Sequence, residues 1–339
     1  MKKLLTFFLF VVLGVSFLSK KTDIPFISLQ TRSYENWNIG VYIFSIQRNA
    51  NEIFLLPKGK FSILNGKDIT DRRAKYVADP FIVYKDGTYY IFFEVLSLKE
   101  KGDIGVAISK DGVNWRYKKI VLDEPFYLSY PYVFKWDGKY YMFPESREVE
   151  SVRLYEAVKF PFEWKLKKIL LEDIELVDPI ILNYKKKWWL FATSSDNANL
   201  YLYYSDKLDG IYIKHPQSPI VKDNPNIARL GGGIIFLEDK LIRVAQDDFP
   251  SYGNSIHIFE ITELTPKDYK EKELKNIFVS KILREEWNKD GIHHLSLCCI
   301  KNNKYIAVID GKEIKKTYGL YINLPYIVGK FLEDIVKDG

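Results

Sequence analysis

Tyr84-Lys-Asp-Gly-Thr-Tyr-Tyr-Ile-Phe-Phe-Glu94 and Lys135-Trp-Asp-Gly-Lys-Tyr-Tyr-Met-Phe-Pro-Glu145 are one phrase written twice, 51 residues apart. Each reads as a strand, an Asp-Gly turn and a returning strand of aromatic and aliphatic residues. Asp and Gly tolerate the positive φ that a two-residue hairpin demands, so the signal for a hairpin is strong. Weaker copies follow at Asn183-Tyr-Lys-Lys-Lys-Trp-Trp-Leu-Phe-Ala, Phe236-Leu-Glu-Asp-Lys-Leu-Ile-Arg-Val-Ala and Ile300-Lys-Asn-Asn-Lys-Tyr-Ile-Ala-Val-Ile.

A short lead precedes every copy: Ala78-Asp-Pro-Phe-Ile-Val, Tyr130-Pro-Tyr-Val-Phe, Val177-Asp-Pro-Ile-Ile, Arg229-Leu-Gly-Gly-Gly-Ile-Ile and His293-His-Leu-Ser-Leu. Asp79, Tyr130, Asp178, Arg229 and His293 head these leads at intervals of 51, 48, 51 and 64 residues. Further strands follow most hairpins, as in Gly105-Val-Ala-Ile-Ser-Lys-Asp-Gly-Val-Asn-Trp-Arg, Leu200-Tyr-Leu-Tyr-Tyr-Ser-Asp and Ile256-His-Ile-Phe-Glu-Ile. Four strands repeated about every fifty residues predict an all-β, five-bladed β-propeller with four-stranded antiparallel blades. A β-sandwich has no need of such a period. The fifth hairpin has little chain after it, so Ile39-Gly-Val-Tyr-Ile-Phe is expected to return and close the ring as an outer strand.

The composition agrees. The 339 residues are 47% hydrophobic and 16% aromatic, enough for a large core and biased toward strands. The formal charge is +6, from 50 cations and 44 anions; 40 of the cations are Lys scattered along the chain, which predicts no nucleic-acid groove. The only cysteines, Cys298 and Cys299, are adjacent, which excludes a disulfide scaffold, a CxxC zinc site and an iron–sulfur centre.

At the N-terminus Lys2 and Lys3 precede an apolar run from Leu4 to Leu18, and Lys20 and Lys21 follow it. Fifteen residues at about 1.5 Å each fall short of a hydrocarbon core of about 30 Å, so residues 1–19 are expected to be a secretory signal, with an uncleaved anchor as the alternative. The protein is then exported, and touches a membrane only through this segment. The propeller is expected over 36–325 and a tail over 326–339.

In a propeller the first strand of each blade lines the central channel. Asp79, Tyr130, Asp178, Arg229 and His293 should therefore converge on one axis, and charges there need partners or water. Glu94 and Glu145 end the returning strands where the alternation breaks. Arg243, Gln246 and Asp247 occupy the equivalent part of blade four. Glycosidic bond cleavage needs one carboxyl that stays protonated and one that stays ionised, about 5–5.5 Å apart for retention or 6.5–9.5 Å for inversion. Asp79 as base or nucleophile, Glu145 as acid and Asp178 as a tuning charge form a candidate catalytic set. Glu94, Tyr130, Arg229, Arg243, Gln246, Asp247, His293 and His294 are candidate substrate-binding residues. Tyr130, Tyr132 and Trp188 would offer stacking faces to sugar rings. Each has a plainer role open to it: Asp before Pro starts turns, Glu145 before Ser146-Arg147 suits an ion-paired strand end, and Arg229 can brace a carboxylate. His293 and His294 point to opposite faces of a strand, so at most one enters the channel. No cofactor motif is present; Gly231–Gly233 lacks the context of a phosphate loop. A channel Ca²⁺ beside that histidine is the one ion this residue set would admit.

Ala78-Asp-Pro-Phe, the Asp-Gly-x-Tyr-Tyr hairpins and Ser109-Lys-Asp-Gly-x-x-Trp resemble the five-bladed propellers of glycoside hydrolase families 43, 32, 68 and 117. Adding Tyr130-Pro-Tyr-Val-Phe, Phe143-Pro-Glu-Ser, Phe160-Pro-x-x-Trp164, Val177-Asp-Pro and Tyr252-Gly, the order of motifs over residues 36–325 is similar to the N-terminal domain of glucosamine inositolphosphorylceramide transferases. The resemblance implies a carbohydrate-facing propeller. It does not imply transfer, which is expected of a separate C-terminal domain that this chain is expected to lack. Family-43-like enzymes place a base on blade one, a tuning Asp on blade two and an acid Glu on blade three. Asp79 fits the first; Ser129-Tyr-Pro and Asp178 depart from the others, which implies a rearranged set of Asp79, Glu145 and Asp178, or a sugar-binding cup without catalysis.

Overall fold

The structure is a computed structural model that describes residues 27–49, 52–237, 239–274, 285–301 and 304–322. The expected signal segment 1–19 and tail 326–339 lie outside the described residues. Among those described, no helix is long and apolar enough to cross a membrane.

Among the described residues, twenty strands form five four-stranded antiparallel sheets, one per blade. Blade one holds β3 (Ala74–Lys85), β4 (Thr88–Ser97), β5 (Gly102–Ser109) and β6 (Arg116–Leu122). Blade two holds β7 (Ser129–Trp136), β8 (Lys139–Glu145), β9 (Val152–Lys159) and β10 (Glu163–Leu171). Blade three holds β11 (Leu176–Tyr184), β12 (Lys187–Ser194), β13 (Leu200–Ser205) and β14 (Ile213–Lys214). Blade four holds β15 (Ile235–Leu237), β16 (Lys240–Asp247), β17 (Ser255–Leu264) and β18 (Tyr269–Glu273). The last blade joins both ends of the chain: β19 (Leu295–Lys301) and β20 (Lys304–Ile322) pair with β1 (Ile27–Asn49) and β2 (Glu52–Leu64) in the order β19-β20-β1-β2. The Ile39–Phe44 segment thus returns to the fifth blade, but as its third strand; β2 lies outside it, because the N-terminal residues supply a whole hairpin.

The turns follow from their residues. Asp86 and Gly87 (φ 47° and 75°) and Asp137 and Gly138 (φ 46° and 76°) both take left-handed backbone, as the tight hairpin requires. In the third loop Asp111 accepts from the amides of Val113 and Asn114, bonds that hold its carboxyl well below the usual range. These are folding elements.

Apolar residues on the two faces of each sheet pack between neighbouring blades, giving five core clusters. Phe92, Val106, Met142 and Tyr155 fill the gap between blades one and two, and Phe143 and Leu190 that between two and three. Ile180, Trp189, Leu241 and Ile261 join three to four; Tyr42, Val244, Ile258 and Ile309 join four to five; Ile39, Ile91 and Ile306 join five to one. Removing one such aromatic side chain costs about 3–5 kcal/mol. Residues Asn36–Glu313 form one compact unit; the described residues 27–35 and 314–322, in β1 and β20, belong to a second.

Candidate functional site

In each of the first three blades the lead strand carries a bulge at the residue before proline. The register slips between Ala78 and Phe81, Ser129 and Tyr132, and Val177 and Ile180. Asp79, Tyr130 and Asp178 sit there in left-handed backbone, at φ 53°, 49° and 50°. Such bulges re-aim a side chain, and a non-glycine residue held at positive φ stores strain of the kind found at functional sites. The bulge takes these three side chains out of the in-and-out alternation of the strand and turns them toward the axis. Glu94 lies opposite Ala78 and Glu145 opposite Ser129, so both glutamates arrive beside the bulge of their own blade.

These residues surround a cavity of about 470 Å³, of small-ligand size. Asp79, Glu94, Ser129 and Glu145 form its inner wall, Tyr76, Tyr127 and Tyr252 its aromatic surfaces, and Arg147, Glu148, Glu150 and Glu175 charged groups around it. Arg229 also lines it and binds Asp178 behind through Nε (2.6 Å) and Nη2 (3.4 Å). Gln246 Nε2 donates to the same carboxylate at 3.0 Å. Asp178, 1% exposed, is therefore paired and held beneath the wall. Its amide donates to Glu145 Oε2 at 3.2 Å. On the other side Asp79 accepts from the Tyr130 amide (3.3 Å) and gives its own amide to Asp310 (3.0 Å). His293 bridges the two acids, its Nδ1 2.7 Å from Asp310 and its Nε2 3.6 Å from Asp79. Trp37 covers the His293 ring at 4.1 Å.

The electrostatics follow from burial and pairing. Burial raises Glu145 to about 8, reinforced by the charge of Asp178 against the opposing pull of Arg229. Burial raises Glu94 to about 7, although the hydroxyl of Tyr127 donates to it. Burial also raises Asp79, with His293 opposing. Burial works against a charged His293, but Asp310 and Asp79 outweigh it and lift the ring to about 9; Asp310 in turn is lowered, burial notwithstanding, by that imidazolium. At neutral pH the cavity wall therefore holds a protonated Glu145, with an imidazolium paired to Asp310 behind it. Ligating atoms of Asp79, His293 and Asp310 lie within 4.8 Å of one another. The His293 imidazolium pairs with both acids, and a cation binding there would have to displace its proton.

Of the residues singled out in the sequence, Asp79, Glu94, Glu145 and Arg229 line the cavity, with Asp178, Gln246 and His293 directly behind. Others lie elsewhere. Tyr130 is buried as a strut, its hydroxyl donating to the Gly232 carbonyl (2.9 Å) and accepting from the Gly232 amide (2.7 Å). His294 is packed edge-on against Phe81 and Tyr130, and burial lowers it to about 4. Arg243 is spent on Glu271 (2.6 and 2.7 Å), the Ile227 carbonyl and the face of Phe259. Asp247 braces its own loop through Asn254 and the Phe249 amide. The expected stacking faces Tyr132 and Trp188 point into blade interfaces, Tyr132 because its strand resumes its alternation after the bulge. Tyr76, Tyr127 and Tyr252 take their place. Tyr127, Arg147, Trp37 and Asp310 were missed; only Tyr252-Gly carried a signal, as a motif without a role.

A ring of five blades around an acid-lined axial cup defines a class: five-bladed β-propellers. The family model described as glucosamine inositolphosphorylceramide transferase 1, N-terminal, matches residues 62–312, and the chain belongs to that family. It is 37% identical over 251 residues to glucosamine inositolphosphorylceramide transferase 1 of Oryza sativa subsp. japonica, covering 71% of this chain and 34% of that protein. The chain thus spans about a third of the length of the relative it matches. Among solved structures it is similar to the catalytic domain of the Coprinopsis cinerea GH62 α-L-arabinofuranosidase, with TM-score 0.54 and 12% identity over 80% of this chain and 97% of that one. It is also similar to a GH43 β-xylosidase/α-arabinofuranosidase from a compost microbial metagenome, with TM-score 0.50 and 18% identity over 64% and 78% of the two chains. At those identities the likeness is one of fold.

Proposed function

We propose that the protein is exported and that its cup takes a glycan, as part of a polysaccharide or glycoconjugate, and hydrolyses a glycosidic bond. The observation that carries this reading is the contact between Asp178 and Glu145. Arg229 and Gln246 hold the Asp178 carboxylate in place, and burial, with that neighbouring charge, raises Glu145 to about 8. A carboxyl that holds its proton to neutral pH beside an arginine-paired carboxylate suits acid–base cleavage. In this reaction Glu145 gives its proton to the departing glycosidic oxygen, and a water oxygen bonds to the anomeric carbon as that C–O bond breaks. Asp79 takes the proton of the water, with His293 balancing its charge. Tyr76, Tyr127 and Tyr252 hold the sugar faces.

A second reading, glycan binding without turnover, draws on the enclosure of Asp79 and Asp178 by hydrogen bonds. Assaying a panel of aryl glycosides and polysaccharides with the wild type and Asp79→Asn separates the two. Hydrolysis that disappears in the variant while glycan affinity persists supports the enzyme. Affinity without turnover in both proteins supports the binder.

A further inference from the structure

The end of the propeller opposite the cup carries its own chemistry. The first strands of the blades run the same way along the axis, with the cup residues at their start and the hairpin turns at their finish. Asp79 precedes the turn at Asp86 by seven residues, a rise of about 20 Å. The turn segments 84–88, 135–139, 184–187, 236–240 and 301–304 together hold nine lysines and four acids, a net +5 in a chain of +6. They hold no arginine.

Three rings stand out of the same tips: Tyr84 is 50% exposed, Trp136 42% and Phe236 56%. Lys135, Lys139, Lys185, Lys186 and Lys304 are exposed beside them. Lys139 and Lys240 pair with Glu156 and Glu260 on neighbouring strands, and Lys187 pairs with Asp206 at the next turn of the same end. Lys185 and Lys186 head their turn with φ of 50° and 62°, where Asn or Gly would be less strained. The cup end is the reverse, with Glu148, Glu150 and Glu175 around the opening.

We propose that this tip face docks on a bilayer rich in anionic lipid, with the cup turned away from the membrane. Lysine ammonium groups are drawn to an anionic surface, while exposed Trp, Tyr and Phe rings enter the headgroup boundary. Trp and Phe at the tips favour a lipid surface over a soluble polyanion, which gives an indole or phenyl ring nothing apolar to enter. The arrangement sets the cup to face glycans that extend beyond the surface.

The test is co-sedimentation of the full chain with vesicles of phosphatidylglycerol and phosphatidylcholine, and of phosphatidylcholine alone. Any contribution of the apolar N-terminal segment is common to wild type and variants. The wild type should partition more strongly on anionic vesicles, and Lys135→Gln/Lys185→Gln/Lys186→Gln should lose that excess by on the order of 100-fold. Brominated lipid should quench wild-type emission more than that of Trp136→Phe, the difference being the tip indole. Thermal melts of both variants should match the wild type, since the residues are exposed. Equal partitioning on the two vesicle types, or a triple variant that binds as the wild type does, overturns the proposal. So does capture by soluble heparin with no quenching of Trp136, which makes the face a polyanion site.

Discussion

Glu145 owes its raised pKa first to burial and then to the charge of a neighbour that is itself pinned. Asp178→Asn removes the repulsion and frees the positive charge of Arg229, and both changes favour ionised Glu145. The basic limb of the pH–rate profile, set near 8 by Glu145, should move down by a unit or more in this variant, read from kcat/KM against pH. An unmoved limb assigns the limb to another group. The Asp-Pro pairs at 79–80 and 178–179 announced two of these carboxylates, and the break of alternation at Phe-Phe-Glu94 and Phe-Pro-Glu145 announced the other two. Tyr127, Asp310 and Trp37 were silent. Each reaches the site through contacts across 33 residues or more, or across the ring closure, and no local pattern encodes such distances.

At the scale of the element, the bulged lead strands decide what faces the axis. Tyr130 occupies the bulge of blade two and ties it to Gly232 of blade four through both a donated and an accepted hydrogen bond. Tyr130→Phe leaves the amide and carbonyl of Gly232 buried without those bonds, at a cost of about 1–3 kcal/mol. A lower denaturant midpoint with an unchanged slope is the expected result; an unchanged midpoint would mean that the strut is dispensable. The hairpins themselves were legible because Asp-Gly turns and alternating aromatics are local. Blade four was read less well: Arg243 and Asp247 share a strand with Gln246, but Arg243 meets Glu271 and Asp247 meets its own loop, choices made by β18 and by the turn after β16.

For the whole molecule, closure by β1 and β2 makes the two ends of the chain interdependent. Removing residues 1–64 strips the outer half of the last blade and leaves β20 as an open edge. Such a protein should lose its single cooperative melt and aggregate, whereas retention of the wild-type melt would show that the ring does not need its N-terminal hairpin. The period of about fifty residues identified the ring, and the short stretch after the fifth hairpin pointed to the return of the N-terminus.

The acid cup also sets a pH dependence on stability. Glu94, Glu145 and His293 all have folded pKa values above their unfolded ones, near 7, 8 and 9. Each proton is held more tightly in the folded state, so their contribution is full below the unfolded values and is lost as pH rises through the folded ones. Thermal stability should fall between pH 5 and 9, and Glu145→Gln should flatten that fall; a slope identical to the wild type would mean that Glu145 is not buried in its neutral form.

In the proposed reaction Glu145 delivers the proton to a departing sugar oxygen. The direct measurement compares wild type and Glu145→Gln on two glycosides of one sugar, with a dinitrophenol and an alkyl alcohol as leaving groups. The account predicts a loss of about 10²- to 10⁴-fold on the alkyl glycoside and little loss on the dinitrophenyl one, whose leaving group needs no proton. Equal losses on both, or no hydrolysis of either by the wild type, would contradict it.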